Sequence, residues 1–204
     1  MVFPGRATAL HPQIVVLLVD DSDGMQGDKS RIASETVQDC IITIQAWSMP
    51  PRRPRHLVSI ATLGARTIPI AVAQHPNQVN LLGLVFDGAS GNANFAAGLV
   101  WAKAALEESL RVCRAQPDYQ EEESPGPLVA LITAGAILGD DVNSPARDLG
   151  AVPFSGEPVK IVVCGLGLEP NDLSAAPAIA SGPVMGTNIR PGELTELFAC
   201  VRMT

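Results

Sequence analysis

The sequence of 204 residues predicts an α/β sandwich with a central, mostly parallel sheet and helices on both faces. Residues 14–19 and 128–133 are short, continuous runs of mostly branched apolar residues, a pattern typical of strands buried on both sides. Residues 29–47 and 95–113 carry apolar residues at helical spacing. Because buried strands alternate with amphipathic helices, we expect the helices to connect neighbouring parallel strands.

The remaining elements complete this architecture in the order β-α-β-β-α-β-β-α. Residues 57–63 and 67–73 are predicted to be consecutive strands joined by a tight turn. Pro69 lies within the second of them, which predicts an antiparallel strand at the edge of the sheet. Residues 159–164 are predicted to form a further buried strand, and residues 191–201 a closing helix. Since neither a repeat nor a shift in composition divides the chain, we expect one domain over residues 1–204.

The overall charge argues against two classes of partner. The net charge is −7 and the isoelectric point is about 4.9, so phosphate backbones and anionic lipid surfaces meet no broad basic surface. Mean hydropathy is +0.22, and no run approaches the ~20 apolar residues that a membrane span needs. We therefore expect neither nucleic-acid binding nor membrane binding.

The cysteines indicate a reducing compartment. None of the four forms a C-x-x-C pair, and each stands among apolar residues of a predicted helix or strand: Cys40, Cys113, Cys164 and Cys200. This pattern predicts buried free thiols and a cytoplasmic location.

Three polar or glycine-containing segments fall at the carboxyl ends of the predicted strands. "DDSDG" over residues 20–24 follows the first strand, "GNAN" over residues 91–94 precedes the second long helix, and residues 134–143 follow the strand that ends at Thr133. The carboxyl ends of parallel strands meet at one edge of a sheet, where ligands bind in such folds. The sequence therefore predicts a contact face at this edge.

These segments resemble the motifs of the von Willebrand factor A (vWA) family. "VVLLVDDSDGMQGDK" resembles its first motif, D-x-S-x-S followed by a helix, and "GASGNANFAAGLVWAKAAL" resembles its Gly-Gly-Thr-Asn loop and central helix. "LVALITAGA" resembles its strand ending in Thr-Asp-Gly, and "KIVVCGLGLEPNDL…ELTELFACV" is similar to its last strand and closing helix. The resemblance covers residues 12–201 and is closest to single-domain bacterial members, such as those associated with tellurium resistance. It implies a Rossmann-like vWA sandwich.

The resemblance also implies a degenerate metal-ion-dependent adhesion site. In the family, the first loop supplies an aspartate and two hydroxyls to the metal, the second a threonine and the third an aspartate. Asp20 and Ser22 match, whereas Gly24, Ala93 and Ala134 stand where the other three oxygen ligands would be. Mg²⁺ prefers near-octahedral oxygen ligands, so Asp20 and Ser22 are vestigial ligands that allow weak Mg²⁺ binding at most. We expect no cofactor.

The function implied by this resemblance is that of a non-enzymatic adaptor. The expected partner is another protein, such as a kinase, phosphatase or ATPase encoded nearby. Its contacts are predicted at the carboxyl edge of the sheet, on Asp20, Ser22, Asp23, Gly24, Asn92, Asn94 and Asp140.

Two alternatives come from other functional classes. "LLVDDSDGM" also resembles the first motif of haloacid dehalogenase-like phosphatases, with Asp21 as nucleophile and Asp23 as general acid/base. Met25 departs from that motif, and no lysine is obvious where that family needs one. The third hypothesis is a structural subunit of an assembly. The segment 134–158 lacks helical periodicity and replaces the helix that the vWA family carries there, which would leave a surface open to a neighbour.

Overall fold

The computed structural model describes residues 11–48, 56–134, 142–166, 179–180 and 184–185. The strands are β1 (Gln13–Asp20), β2 (His56–Leu63), β3 (Thr67–Gln74), β4 (Leu128–Thr133), β5 (Lys160–Gly165) and β6 (Val184–Met185). The helices are α1 (Asp28–Trp47), α2 (Phe95–Arg114) and α3 (Asn143–Gly150), with short 3-10 turns between them. The closing helix predicted over residues 191–201 lies outside the described residues.

The sheet confirms the predicted fold class. Its order is β3-β2-β1-β4-β5-β6, with every neighbouring pair parallel except β2 and β3. Pro69 lies in the antiparallel strand β3, opposite Ala61. Because β2 is the single neighbour of β3 among the described strands, the missing N–H of Pro69 costs least there. The two strands predicted from continuous apolar runs, β1 and β4, lie at the centre of the sheet.

Both faces of the sheet are buried because successive side chains of a strand point to opposite sides. In β1, Ile14, Val16 and Leu18 pack with α2 and α3, whereas Val15, Leu17 and Val19 pack with α1. All six are at most 1% exposed. This double burial explains why β1 is a continuous apolar run without polar alternation.

The chain after β3 runs antiparallel along α1 and positions a loop near the start of that helix. The side-chain amide of Gln45 donates to the Pro76 carbonyl at 3.0 Å, and the Ser34 hydroxyl accepts from the Phe86 N–H at 3.0 Å. Residues 76–86 therefore pass from the end of α1 towards its beginning. The residues that follow reach the carboxyl end of β1.

The prediction that the segment 134–158 lacks a helix is wrong. Helix α3 spans Asn143–Gly150, and its Ala146 and Leu149 join the core on the α2 side of the sheet. Two turns present only two inward residues, three apart, which is too short a pattern to reveal a helical period. The sequence argument for an open surface in this segment therefore loses its basis.

The described cysteines are buried free thiols, as predicted. Burial raises the pKa of Cys113 and of Cys164 to about 12, and it raises the pKa of Cys40 well above its ordinary value. Cys200 lies outside the described residues. Within the described part of the chain, no helix has the length and apolar character needed to cross a membrane.

Candidate functional site

Two loops meet the end of β4 at the carboxyl edge of the sheet. Loop 1 (residues 20–24) begins at the last residue of β1, and loop 2 (residues 87–94) leads into α2. Thr133 ends β4 beside them. Three aspartates of loop 1 bind these neighbours directly.

Asp20 connects loop 1 to β4. It is fully buried, and its Oδ2 accepts a hydrogen bond from the Thr133 hydroxyl at 2.6 Å. Its Oδ1 accepts the Ser22 N–H at 2.9 Å, which closes a local turn. Hydrogen bonds to a carboxylate are shorter and stronger than bonds between neutral groups. Asp20 therefore fixes both the turn of loop 1 and its distance from β4.

Asp21 connects loop 1 to loop 2 and is 8% exposed. Its Oδ1 accepts the N–H groups of Asp87 and Gly88 at 3.0 and 2.8 Å, and its Oδ2 accepts the Ser90 hydroxyl at 2.8 Å. The Ser90 N–H also donates to the Asp21 carbonyl at 3.0 Å. One carboxylate thus organises the whole turn that begins loop 2. Sequence reasoning missed this role, because two of the three donors are main-chain groups that any residue type could supply.

A third contact between the loops comes from Asp23. Its Oδ1 accepts the Gly91 N–H at 3.1 Å, and its own N–H donates to the Gly91 carbonyl at 3.0 Å. Asp23 is exposed, so this two-bond contact lies at the surface. Asp21 and Asp23 together hold loop 2 at both ends of residues 87–91.

Loop 2 also bonds to the β2–β3 turn and to α2. The Asn94 N–H donates to the Gly64 carbonyl at 3.0 Å, and the Asn94 side-chain oxygen accepts the Ala97 N–H at 2.9 Å. The second bond is a helix cap, which satisfies one free N–H at the start of α2. Asn92 is exposed and makes none of these contacts. Asn94 therefore has a structural role as the cap, and its role as a contact residue stays a prediction.

Ser22 lies at the centre of loop 1. It is 7% exposed, and its hydroxyl oxygen has no hydrogen-bond partner among the described residues. A Cβ placed on the exposed Gly24 would lie 3.8 Å from this oxygen, so the hydroxyl lies beside Gly24. The Lys29 ammonium group donates to the Gly24 carbonyl at 3.5 Å, at the rim.

Comparison with known proteins supports the fold. No protein-family profile matches the sequence, and no curated protein matches it. The structure is similar to the SpRpn10 VWA domain, with a TM-score of 0.59 at 15% identity over 88% of this chain and 89% of that one. It is also similar to a von Willebrand factor type A structure from Catenulispora acidiphila, with a TM-score of 0.62 at 16% identity. That match covers 94% of this chain and 42% of that one. The chain has the fold of a von Willebrand factor A domain.

A third vWA-fold relative is proximal thread matrix protein 1 from the mussel byssus. The TM-score is 0.63 at 18% identity, over 94% of this chain and 47% of that one, so this chain spans about half the length of the mussel protein. One structure of that protein has a zinc-occupied metal-ion-dependent adhesion site motif. The closer resemblance to tellurium-resistance-associated members stays a prediction.

Of the five oxygen-bearing positions that the resemblance assigns to a vWA metal site, two keep a side-chain oxygen, Asp20 and Ser22. Asp20 already accepts hydrogen bonds on both carboxylate oxygens. Gly24, Ala93 and Ala134 have no side-chain oxygen, and Ala134 is buried in the core. Among the described residues, no three His, Cys, Asp or Glu side chains are placed to hold a metal ion. Direct hydrogen bonds between protein atoms join loop 1 to loop 2.

The structure brings most of the predicted contact residues together. Those in loop 1 are Asp20, Ser22, Asp23 and Gly24, and those in loop 2 are Asn92 and Asn94. Asp140 lies outside the described residues. The two loops form one surface because Asp21 and Asp23 join them.

Proposed function

We propose that this chain is a non-enzymatic protein-interaction module of the vWA type. Its contact face consists of loops 1 and 2 at the carboxyl edge of the sheet, and it works without a bridging metal ion. The observation that carries the proposal is the set of direct bonds from Asp20, Asp21 and Asp23 to the surrounding elements. In a metal-dependent vWA domain, an ion draws the loops together. Here, carboxylates and main-chain N–H groups supply that connection.

The geometry of Asp21 favours a structural role over a nucleophilic one. A phosphatase nucleophile needs a carboxylate oxygen that can reach a phosphorus atom. Both oxygens of Asp21 accept hydrogen bonds from loop 2, and its side chain is nearly buried. These contacts support the adaptor over the haloacid dehalogenase-like alternative.

Titration calorimetry with Mg²⁺ and Mn²⁺ tests the metal-independent face. We expect no binding at micromolar concentrations, because a single carboxylate and a single hydroxyl leave the ion mostly hydrated. Micromolar binding that is lost in Asp20→Ala would overturn the proposal.

Affinity capture with paired variants tests the location of the face. The bait is the intact chain carrying Ser22→Ala and Asn92→Ala, and the control bait carries Glu122→Ala. Glu122 is exposed and precedes β4, so it lies at the opposite edge of the sheet. We expect the first bait to lose a protein that both the wild type and the control retain, with or without a chelator. Equal capture by all three baits would place the contact elsewhere.

A further inference from the structure

We infer that the face recognises a cationic side chain of its protein partner, an arginine or a lysine. This inference rests on the proposed function and names the chemistry of the partner group. A vWA face that holds a metal ion binds a carboxylate of the partner at the open coordination position of the ion. The preference inferred here is for the opposite charge.

The formal charge of the two loops is strongly negative. Residues 20–24 and 87–94 contain four aspartates and no lysine, arginine or histidine: Asp20, Asp21, Asp23 and Asp87. Within the described residues, none of the four forms an ion pair. Two basic side chains stand at the rim. Lys29 contacts a main-chain carbonyl, and Arg66 is exposed in the β2–β3 turn. The centre of the face therefore lacks a counter-charge.

Two carboxylate oxygens of this face remain available to a partner. Asp23 uses Oδ1 for the Gly91 N–H, and Asp87 uses Oδ1 for the Ala89 N–H at 3.0 Å. The Oδ2 atoms of both residues accept no hydrogen bond within the described chain, and both residues are exposed. Asp20 and Asp21 differ, since each of their oxygens already has a donor. The outer pair can therefore bind a ligand while the inner pair holds the loops.

Ser22 supplies a further acceptor at this face. The residue is more than nine-tenths buried, but its hydroxyl has no described partner, lies beside Gly24 and is not among the fully buried polar atoms, so it faces solvent. A hydroxyl oxygen in this position can accept a hydrogen bond from an incoming N–H donor. A guanidinium or ammonium group carries several donors, so one such group can bond to the hydroxyl and to a nearby carboxylate. A partner carboxylate would instead meet four charges of its own sign.

An NMR titration of the isotope-labelled chain tests the inference with defined peptides. The probe is Ac-Gly-Arg-Gly-NH2, and its matched control replaces arginine with citrulline, which has the same shape without the charge. A third peptide carries glutamate and is added with and without Mg²⁺. We expect the arginine peptide to shift the amide signals of residues 22–24 and 87–91. We expect the citrulline peptide to bind roughly tenfold more weakly, as loss of a charge-assisted hydrogen bond implies.

Variants distinguish a specific contact from general attraction to an acidic protein. The double substitution Asp23→Asn with Asp87→Asn keeps the shape of both side chains, and we expect roughly a tenfold loss of arginine-peptide affinity. Glu122→Gln removes one exposed charge at the opposite edge and should leave the affinity unchanged. Equal binding of the arginine and citrulline peptides, or equal losses in both variants, would overturn the inference.

The remaining outcomes separate this inference from the proposed function. If the glutamate peptide binds the same amides only with Mg²⁺, both the cation preference and the metal-independent face are wrong. If no peptide shifts these amides while the Ser22→Ala and Asn92→Ala bait still loses its partner, the cation preference alone is wrong.

Discussion

Neighbouring aspartates of loop 1 contact different parts of the molecule because the chain is extended there. Asp20 points to Thr133 at the end of β4, and Asp21 points to Asp87, Gly88 and Ser90 in loop 2. Side chains of successive residues in an extended segment project to opposite sides. A single dipeptide can therefore join its strand to the end of β4 on one side and to loop 2 on the other.

Removing the Asp21 carboxylate should loosen loop 2 specifically. We expect Asp21→Ala to lower the free energy of unfolding by about 1–3 kcal/mol, because the N–H groups of Asp87 and Gly88 lose their acceptor. Urea unfolding measures this loss, and hydrogen exchange should become faster at these two amides. Asp87→Ala is the control, since it removes one exposed bond to Ala89 and should change the stability by less than about 0.5 kcal/mol. Unchanged exchange at both amides in Asp21→Ala would contradict the assigned role.

Glu121 should make stability depend on acid pH. The Arg114 guanidinium holds the Glu121 pKa below its ordinary value of 4.5, opposed by partial burial and assisted by the Ser155 N–H. A carboxyl group whose pKa is lower in the folded state than in the unfolded state stabilises the protein at pH values above the unfolded-state pKa. This stabilisation is lost as the pH falls below 4.5 towards the folded-state pKa. We expect Glu121→Gln to melt at a lower temperature than the wild type at pH 7, and the two Tm values to converge below pH 4. A Tm gap that stays constant over this range would contradict the linkage. Glu122→Gln serves as the control.

Sequence patterns placed Asp20 and Ser22 at the sheet edge but did not reveal what Asp21 does. A strand followed by acids and serine identifies its own carboxyl end, because strand and loop are local in sequence. The donors to Asp21 lie 66 to 69 residues away, and most are main-chain groups without a residue signature. Only the three-dimensional path of the chain brings them to this carboxylate.

At the scale of elements, loop 2 packs against the main chain that precedes α1, without room for a side chain at Gly88. Gly88 has φ +70°, and a Cβ there would lie 2.6 Å from the Gln26 main-chain nitrogen. Gly91 has a similar φ of +73°, but its nearest contact would be the Ala65 Cβ at 3.6 Å. The two glycines share a backbone conformation and differ in the space around them.

Alanine at these two positions should separate backbone strain from collision. We expect Gly91→Ala to lower the free energy of unfolding by about 1–2 kcal/mol, the usual penalty for a left-handed backbone at a residue with a Cβ. Gly88→Ala should lower the free energy of unfolding by roughly 2–5 kcal/mol, because main-chain atoms of Met25 and Gln26 must also move. Denaturant unfolding of both variants provides the comparison. Equal losses of unfolding free energy in the two variants would show that the close approach at Gly88 does not affect stability.

The sequence predicts the long apolar or amphipathic elements but does not predict the shortest ones. The strands β1 and β4 were predicted to within about one residue because both faces are buried. The helix α2 shows its inward face over five turns. The helix α3 has eight residues, and its position depends on packing against α2, which local spacing does not encode.

At the scale of the whole molecule, the alkylation rates of the buried thiols measure how well the core is protected from solvent. Their raised pKa values keep Cys40, Cys113 and Cys164 protonated at pH 8, where only a thiolate reacts readily. We expect alkylation at these positions to be slow in the native protein and fast in urea. Peptide mapping by mass spectrometry measures each cysteine separately. Rapid native labelling at any of the three would indicate local opening of the packing between the helices and the sheet around that cysteine.

The bond between Asp20 and Thr133 has a consequence for how the chain acquires its structure during synthesis. Thr133 follows Asp20 by 113 residues, whereas the loop 2 donors to Asp21 follow it by 66 to 69. As the chain leaves the ribosome, β1 can pair with β2 and loop 2 while its other edge has no strand beside it. Until β4 emerges, the central strand of the finished sheet is an exposed edge, the form in which strands are most prone to pair with other chains.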